Sequence, residues 1–243
     1  MDKLQEKIIK DTEEAFARKK ESEKYLDKFR GSMIGGAAGD ALGYAIEFSD
    51  EDFLFSKYGE NGITEYSIDS ISGKALISDD TQMTLFTANA ILVGATRGAM
   101  RGIGGAPSLY MQWAYLDWLR TQEISYEESR KISKGYGKGG SISWLTDVPD
   151  LYAHRAPGNT CLSALGRNRD IPLEPEECLT KTLNNSKGCS GVMRVAPLGL
   201  KAYRYVSDED MLKEAAMTAA VTHGHSLGYM PASVLESSKT NLP

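Results

Sequence analysis

Two adjacent aspartates stand at the start of a helical pattern, in the stretch ISDDTQMTLF. Ser78, Asp79, Asp80 and Thr81 all carry side-chain oxygens, and an apolar run follows them. Such residues cap a helix and interact favourably with its dipole. Neighbouring carboxylates are also hard oxygen ligands, which Mg²⁺ and Mn²⁺ prefer. The pattern allows both interpretations, and a metal site would need further ligands, because one such cluster cannot fill six coordination positions.

A glycine-rich segment, GSMIGGAAGDALG, contains a second acidic position, Asp40. Four of its glycines are spaced four residues apart and would share one flank of a helix: Gly31, Gly35, Gly39 and Gly43. Each glycine costs about 1 kcal/mol relative to alanine in a helix, so a close approach by another backbone or by a ligand is expected. Glu47 follows Asp40 by two helical turns, on nearly the same face.

Three other patterns are ambiguous when each is taken alone. The turn at 184–200, NNSKGCSGVMRVAPLGL, suits anion binding by backbone N–H groups, and it also suits a simple helix start. His223 and His225 would point about 200° apart on a helix, so we interpret each as a hydrogen-bonded histidine rather than half of a chelating pair. The GYGKGG segment at 135–140 follows no strand pattern, which favours a loop over a dinucleotide site.

Composition excludes several classes of protein. The 243 residues are 41% hydrophobic and 25% charged, which is typical of one large or two small globular domains. A formal net charge of −5 argues against nucleic-acid binding. Three cysteines without a CxxC pair predict a reducing compartment and neither a disulfide framework nor a zinc site. Without a signal-like N-terminus or a long apolar run, we expect a cytoplasmic protein that is not bound to membranes.

Helical periodicity dominates the chain and predicts an all-α fold. Residues 2–28 are rich in Glu and Lys and predict a charged, solvated helical extension, 1–28, before a domain at 29–243. Further apolar patterns with helical spacing occur at 79–95, 108–121, 159–166, 174–184, 208–222 and 225–237. The best strand pattern is EYSIDSI at 65–71.

Four stretches together resemble the ADP-ribosylglycohydrolase family, in the family's order across residues 29–235. They are GGAAGDALGYAIEF, SDDTQM, RAPGNTCLSAL with SKGCSGVMRVAPLGL, and THGHSLGYMPA. The similarity is closest to the bacterial dinitrogenase-reductase-activating branch. This resemblance implies a single compact, orthogonal all-α domain with a cleft for two Mg²⁺ or Mn²⁺ ions. It also implies hydrolysis of the bond between ADP-ribose and a protein side chain, with arginine expected because GDALG is followed by SDDTQM.

The resemblance also implies roles for particular residues. Ser78, Asp79 and Asp80 would be metal ligands, and Glu47 would act with the two aspartates in catalysis near the scissile ribose. Cleavage at the anomeric carbon develops positive charge on the ribose ring, so Glu47 would orient the attacking water or take its proton. The glycine flank would let the metal-bearing helix approach closely. The implied ADP-ribose contacts are Asn159, Gly188, Cys189, Ser190, Gly191, His223 and Tyr229.

One family motif has no counterpart in this sequence. Family members carry a second acidic motif, G-D-x-D-[ST], which completes the metal sites near the C-terminus, whereas here Ala232 is followed by SVLESSKTNLP. The domain is therefore expected to lack its C-terminal helices and some metal ligands. Ser190 also replaces a glycine of the family's KGCGGVMR-like loop, which leaves phosphate contact possible.

Three hypotheses follow from this departure. The first hypothesis is that the chain is a metal-dependent hydrolase of ADP-ribosylated proteins. Alternatively, it is a non-catalytic, immunity-like protein that binds ADP-ribose or an ADP-ribosyltransferase. The third hypothesis is a poorly stable remnant, since domains are stabilised by only about 5–15 kcal/mol.

Overall fold

A computed structural model describes residues 3–136, 139–171, 173–181, 183–200 and 207–239. Within these ranges the chain forms α-helices, short 3₁₀ helices and no β-strand, which confirms the predicted all-α class. The α-helices are α1 (Lys3–Gly43), α2 (Glu51–Tyr58), α3 (Asp79–Arg101), α4 (Pro107–Glu123), α5 (Tyr126–Ser129), α6 (Asn159–Asp170), α7 (Glu177–Thr180), α8 (Ala196–Gly199), α9 (Asp208–Ala220) and α10 (Ser226–Lys239). The 3₁₀ helices are Tyr44–Ile46, Trp144–Asp147, Pro149–Leu151 and Cys189–Gly191.

The first helix, α1, is 41 residues long and continues without a break through the predicted boundary at residue 28. Residues 3–28 are exposed along their whole length. Helix-forming Glu, Lys and Ala residues and surface pairs such as Lys19–Glu23 suit this solvated part. The division into an extension and a domain therefore remains a prediction. No described helix is both long enough and apolar enough to cross a membrane.

The core lies between α3, α4, α6 and α9. On α4, Met111, Tyr115 and Trp118 follow helical spacing and are fully buried. On α3, Met83 and Phe86 face them, and each such side chain contributes about 1.5–3 kcal/mol when it is removed from water. α3 packs along α4, and α9 packs along α10. These contacts fix the start of α3 relative to the loops before α6 and α8.

Two segments depart from the patterns in their sequence. The strand-like pattern at 65–71 forms no strand, in keeping with the all-α class, and has a single antiparallel bridge between Ile68 and Ala75. Ile71 is 94% exposed, so the alternating pattern has no neighbouring sheet or core to cover it. The helix predicted at 174–184 is only Glu177–Thr180. Asn184 instead uses its side chain to hold loops together, as asparagine does more readily than it extends a helix.

Candidate functional site

The N-terminus of α3 is held by a carboxylate from α1. Asp40 Oδ2 accepts hydrogen bonds from the backbone N–H of Ser78 at 2.9 Å and of Thr81 at 3.2 Å, and from the Thr81 hydroxyl at 2.5 Å. Ser78 is also the N-cap, because its Oγ accepts from the Asp80 N–H at 3.1 Å. Asp40 is therefore a site residue to which sequence reasoning assigned no role. The feature of the sequence that could have indicated it is a single acidic residue inside an otherwise uncharged, glycine-rich segment.

A cavity of about 550 Å³ opens where α1 meets α3. Its acidic lining comprises Asp40, Glu47 and Asp80, and Gly36, Gly39 and Gly43 form part of one wall. At each of these glycines, an added Cβ would have no atom within 4 Å other than the nearby backbone of its own helix and its two neighbours in the chain. The prediction that the glycine flank lets α3 approach α1 closely is therefore wrong. α3 meets α1 with its N-terminus, through Asp40, and the glycines widen the cavity instead.

The cavity carries uncompensated negative charge. Partial burial, followed by the charges of Asp40 and Glu47, raises the pKa of Asp80 to about 6. Burial and the charge of Asp40 also raise the pKa of Glu47. In the described part of the chain, Asp40, Glu47, Asp79 and Asp80 form no ion pair with a basic side chain. This unneutralised group of oxygens favours a cation.

Asp79 points away from the cavity, toward the segment before α6. It is 4% exposed; its Oδ2 accepts from Gly158 N–H at 3.0 Å and its own N–H donates to Arg155 O at 2.9 Å. Burial raises the pKa of Asp79 to about 6, although the Gly158 bond opposes the rise. These two bonds flank Ala156, whose φ of 55° costs about 1–2 kcal/mol for a non-glycine residue. Asp79 thus holds a strained turn in place.

The loop before α8 encloses His223, which is 1% exposed. A Cβ on Gly188 would lie 3.3 Å from His223 Nε2, and a Cβ on Gly191 would lie 2.7 Å from Gly228 O. Glycine is therefore required at 191 by close backbone approach. A Cβ on Gly158 would lie 3.3 Å from Ser190 Oγ and 3.8 Å from Asp79 Oδ2, so the loop adjoins the acidic group.

Arg194, which the sequence reasoning did not single out, lies fully buried behind this loop. Its Nη2 donates to Thr222 Oγ1 at 2.6 Å and to Thr218 O at 3.2 Å, and its guanidinium lies 4.3 Å from the centre of the Tyr115 ring. The available signal was a single cation within the apolar run VMRVAPLGL.

The remaining predicted site residues lie outside the acidic cavity. Asn159 is the exposed first residue of α6, and Tyr229 on α10 is half-buried against the core. Cys189 is exposed at the start of the 3₁₀ helix in the loop. His225 Nδ1 accepts from Leu227 N–H at 3.0 Å, as expected for a hydrogen-bonded histidine. The structure thus brings Glu47, Ser78 and Asp80 together at the cavity. The residues that the family resemblance predicts to contact ADP-ribose lie in or near the neighbouring loop.

The donor set agrees chemically with a hard divalent cation. Three or more His, Cys, Asp or Glu side chains do not converge as metal ligands anywhere in the described ranges. Mg²⁺, however, is commonly held by one or two carboxylates and several waters. The carboxylate of Asp80 and the hydroxyl of Ser78 fit such partial coordination, because both line the cavity and neither has a paired cation among the described residues, whereas the Oδ2 atom of Asp79 is bonded to Gly158.

The structure combines an all-helical domain with an acid-lined cavity beside a glycine-bearing loop. A model of the ADP-ribosylglycohydrolase family matches residues 21–236, so the chain belongs to that family. Comparison with curated proteins and with solved structures gave no significant match. Members of the family are hydrolases that act on ADP-ribosylated proteins and generally depend on divalent metals.

Proposed function

We propose that this chain hydrolyses the bond between ADP-ribose and a protein arginine, which reverses mono-ADP-ribosylation and requires Mg²⁺ or Mn²⁺. The observation that carries the proposal is the group of unpaired carboxylates at the start of α3, beside a loop suited to phosphate groups. The similarity to the dinitrogenase-reductase-activating branch supports arginine as the linkage. The cysteines are free thiols, which favours action in the reducing cytoplasm.

The acids at the start of α3 would hold the metal. Ser78 and Asp80 would supply oxygen donors from the cavity wall, and Asp79 would add its Oδ1 atom, because its Oδ2 atom accepts from Gly158. Asp40 keeps the helix start in position through its three hydrogen bonds. A bound divalent ion supplies Lewis-acid chemistry, orienting hydroxyl oxygens and lowering the pKa of a water molecule. Burial chiefly, and the neighbouring carboxylates in addition, raise the pKa of Asp79 and of Asp80, and a cation beside them would favour their ionised forms.

Glu47 is the proposed general base. It lines the same cavity as Asp80, and its raised pKa brings it nearer the pH at which a carboxylate accepts a proton most effectively. Glu47 would orient a water molecule toward the anomeric carbon and take its proton as the bond to the guanidine nitrogen breaks. The negative charge of the cavity would stabilise the positive charge that develops on the ribose ring.

The neighbouring loop would bind the ADP-ribose part of the substrate. Backbone N–H groups of Gly188, Cys189, Ser190 and Gly191 suit the diphosphate and the adjoining ribose. Asn159, His223 and Tyr229 would contact the rest of the nucleotide. A Cβ on Gly158 would lie 3.3 Å from Ser190 Oγ, and the Gly158 N–H donates to Asp79, so Gly158 lies between the binding loop and the acidic group.

Release of free ADP-ribose from an ADP-ribosylated arginine protein tests the proposal. We expect turnover with Mg²⁺ or Mn²⁺, and loss of turnover with EDTA and in the Asp79→Ala/Asp80→Ala variant. The matched control is Asp208→Ala/Glu209→Ala, because those acids occupy the same positions after the capping Ser207 of α9 and are exposed. A protein carrying ADP-ribose on serine tests the arginine preference. Turnover that survives both EDTA and the double substitution would refute the proposed chemistry.

Calorimetry with ADP-ribose distinguishes the non-catalytic alternative. Binding of ADP-ribose without turnover of any linkage would support an immunity-like binding protein. In that case, a co-purification experiment with an ADP-ribosyltransferase would identify the transferase as a partner. Absence of both binding and turnover in a folded protein would contradict both functions.

A further inference from the structure

Arg194 is a fully buried cation that forms no ion pair with any acid in the described ranges. A buried charge is expensive unless other groups replace its hydration. Arg194 donates to the carbonyls of Thr218 at 3.2 Å and Ala219 at 3.5 Å, which belong to the last turn of α9. The partial negative charge of a helix C-terminus and the face of Tyr115 therefore stabilise the guanidinium.

The shortest bond of Arg194 goes to a hydroxyl rather than to these carbonyls. Its Nη2 lies 2.6 Å from Thr222 Oγ1, which in turn lies 2.8 Å from His223 Nδ1. The other acceptors within reach of the Thr222 hydroxyl are Ala219 O, at 3.5 Å, and the sulfur of Cys161, which is a weak acceptor. A hydroxyl that accepts a bond from a cation becomes a stronger donor, and its single proton goes to the nearer acceptor. Thr222 therefore donates to His223 Nδ1.

His223 is neutral in this environment. Burial, followed by the charge of Arg194, lowers the pKa of its imidazole to about 4. A neutral imidazole has one N–H, and Nδ1 acts as the acceptor, so the proton is on Nε2. Among the described residues no acceptor reaches Nε2, although this atom is buried. It faces Gly188, where even a Cβ would lie only 3.3 Å away. The Nε2–H group of His223 therefore points at the loop and has no hydrogen-bond acceptor among the described residues.

We propose that Arg194 and Thr222 are positioning residues that fix His223 in its Nε2–H tautomer, so that Nε2 donates to an oxygen of bound ADP-ribose at the 186–191 loop. The identity of this ligand rests on the proposed function, whereas the tautomer rests on the hydrogen bonds alone. A side chain on Gly188 would crowd the donor, because its Cβ would lie 3.3 Å from Nε2. A buried donor without a partner is unfavourable, and a ligand oxygen that accepts from Nε2–H would remove this cost on binding.

Nitrogen NMR of protein labelled with ¹⁵N-histidine measures the tautomer directly, without any turnover. The chain has three histidines, so His154→Gln and His225→Gln variants assign the signals. We expect His223 to be protonated at Nε2 at neutral pH in the wild type. Thr222→Ser keeps the hydroxyl and should keep this tautomer, whereas Thr222→Val should produce the Nδ1–H form or a mixture. Wild-type His223 protonated at Nδ1, or a tautomer unchanged in Thr222→Val, would overturn the assignment.

Calorimetry with ADP-ribose then tests the ligand. We expect the Kd to rise about tenfold in Thr222→Val and to stay within about twofold in Thr222→Ser, since one hydrogen bond is lost only in the first. The Nε2–H proton signal should move when ADP-ribose binds to the wild type. Circular dichroism and thermal unfolding establish that each variant is folded. An Nε2–H signal that does not respond to bound ADP-ribose would refute the donor role of His223. Wild-type protein that binds no ADP-ribose would refute the proposed function, and the NMR measurement would still decide the tautomer.

Discussion

Replacing His223 with glutamine should remove much of the acid sensitivity of the folded state. Burial lowers the pKa of His223 to about 4, from an ordinary value of 6.5. Above pH 6.5 the imidazole is neutral in both the folded and the unfolded chain, so it contributes no pH dependence. Between pH 6.5 and 4 the unfolded chain binds a proton that the folded protein does not. The free energy of unfolding therefore falls as the pH falls.

The size of this effect follows from the two pKa values. At pH 5 protonation of the unfolded chain should lower the free energy of unfolding by about 2 kcal/mol, and at pH 4 by about 3 kcal/mol. His223 is 1% exposed, so little screening by solvent is expected. Glutamine does not titrate, and His223→Gln should lack this contribution, even if its stability at pH 7 is lower. Raised carboxylate pKa values, such as that of Asp79, act in the opposite direction but are common to both proteins.

Urea denaturation followed by circular dichroism at pH 7, 6, 5 and 4 measures the difference. The free energy of unfolding of wild type minus that of His223→Gln should decline by about 2 kcal/mol between pH 7 and pH 5. His225→Gln, which changes a half-exposed histidine two residues away, is the matched control and should keep most of the wild-type pH dependence. Parallel curves for wild type and His223→Gln would refute a neutral, buried His223.

Three further predictions concern the glycines, Asp40 and the metal. Gly191→Ala places a Cβ 2.7 Å from Gly228 O and should lower the free energy of unfolding by about 1–3 kcal/mol, measured by urea denaturation. Asp40→Ala removes the acceptor at the start of α3 and should lower it by about 1–2 kcal/mol in the same assay. Mg²⁺ or Mn²⁺ at one hundred times its Kd should raise the free energy of unfolding by about 2.7 kcal/mol in wild type. The same metal concentration should raise it by less in Asp80→Asn, and thermal unfolding measures both.

Each of these predictions has a matched control. Gly35→Ala adds a Cβ that meets nothing within 4 Å and should raise stability by up to about 1 kcal/mol. Asp40→Asn keeps an acceptor oxygen and should be less destabilising than Asp40→Ala. Asp208→Asn removes an exposed acid at the start of α9 and should respond to metal like wild type. If a variant and its control changed equally in stability, or responded equally to metal, the contact on which that prediction depends would be contradicted.

The sequence predicted helices best where one apolar face is continuous. α3 begins at Asp79, as its Ser-Asp-Asp start predicts, and ends at Arg101 before Gly102, whose φ of 65° favours glycine. The alternating pattern at 65–71 forms no strand, because alternation leads to a strand only when another element covers its apolar face. The helix predicted at 174–184 failed because the side chain of Asn184 holds the loop at Thr222 and Gly224.

The candidate site was predictable in composition but not in its geometry. The acids and the loop glycines were identified from motifs, and the family match over 21–236 confirms the family that those motifs indicated. Asp40 and Arg194 were not assigned roles, because their partners lie far along the chain. Asp40 contacts Ser78, 38 positions later, and Arg194 contacts Thr222, 28 positions later.

The sequence by itself determined the all-α class, the start of α3 and the family, because helical periodicity, capping residues and motif order are properties of local segments. Only the tertiary structure decided that Asp80 faces the cavity while Asp79 faces Gly158, and that His223 lies behind the loop with Nε2 directed at Gly188. Those directions depend on how separate helices pack. Packing is set by contacts between distant residues, which spacing along one helix does not specify.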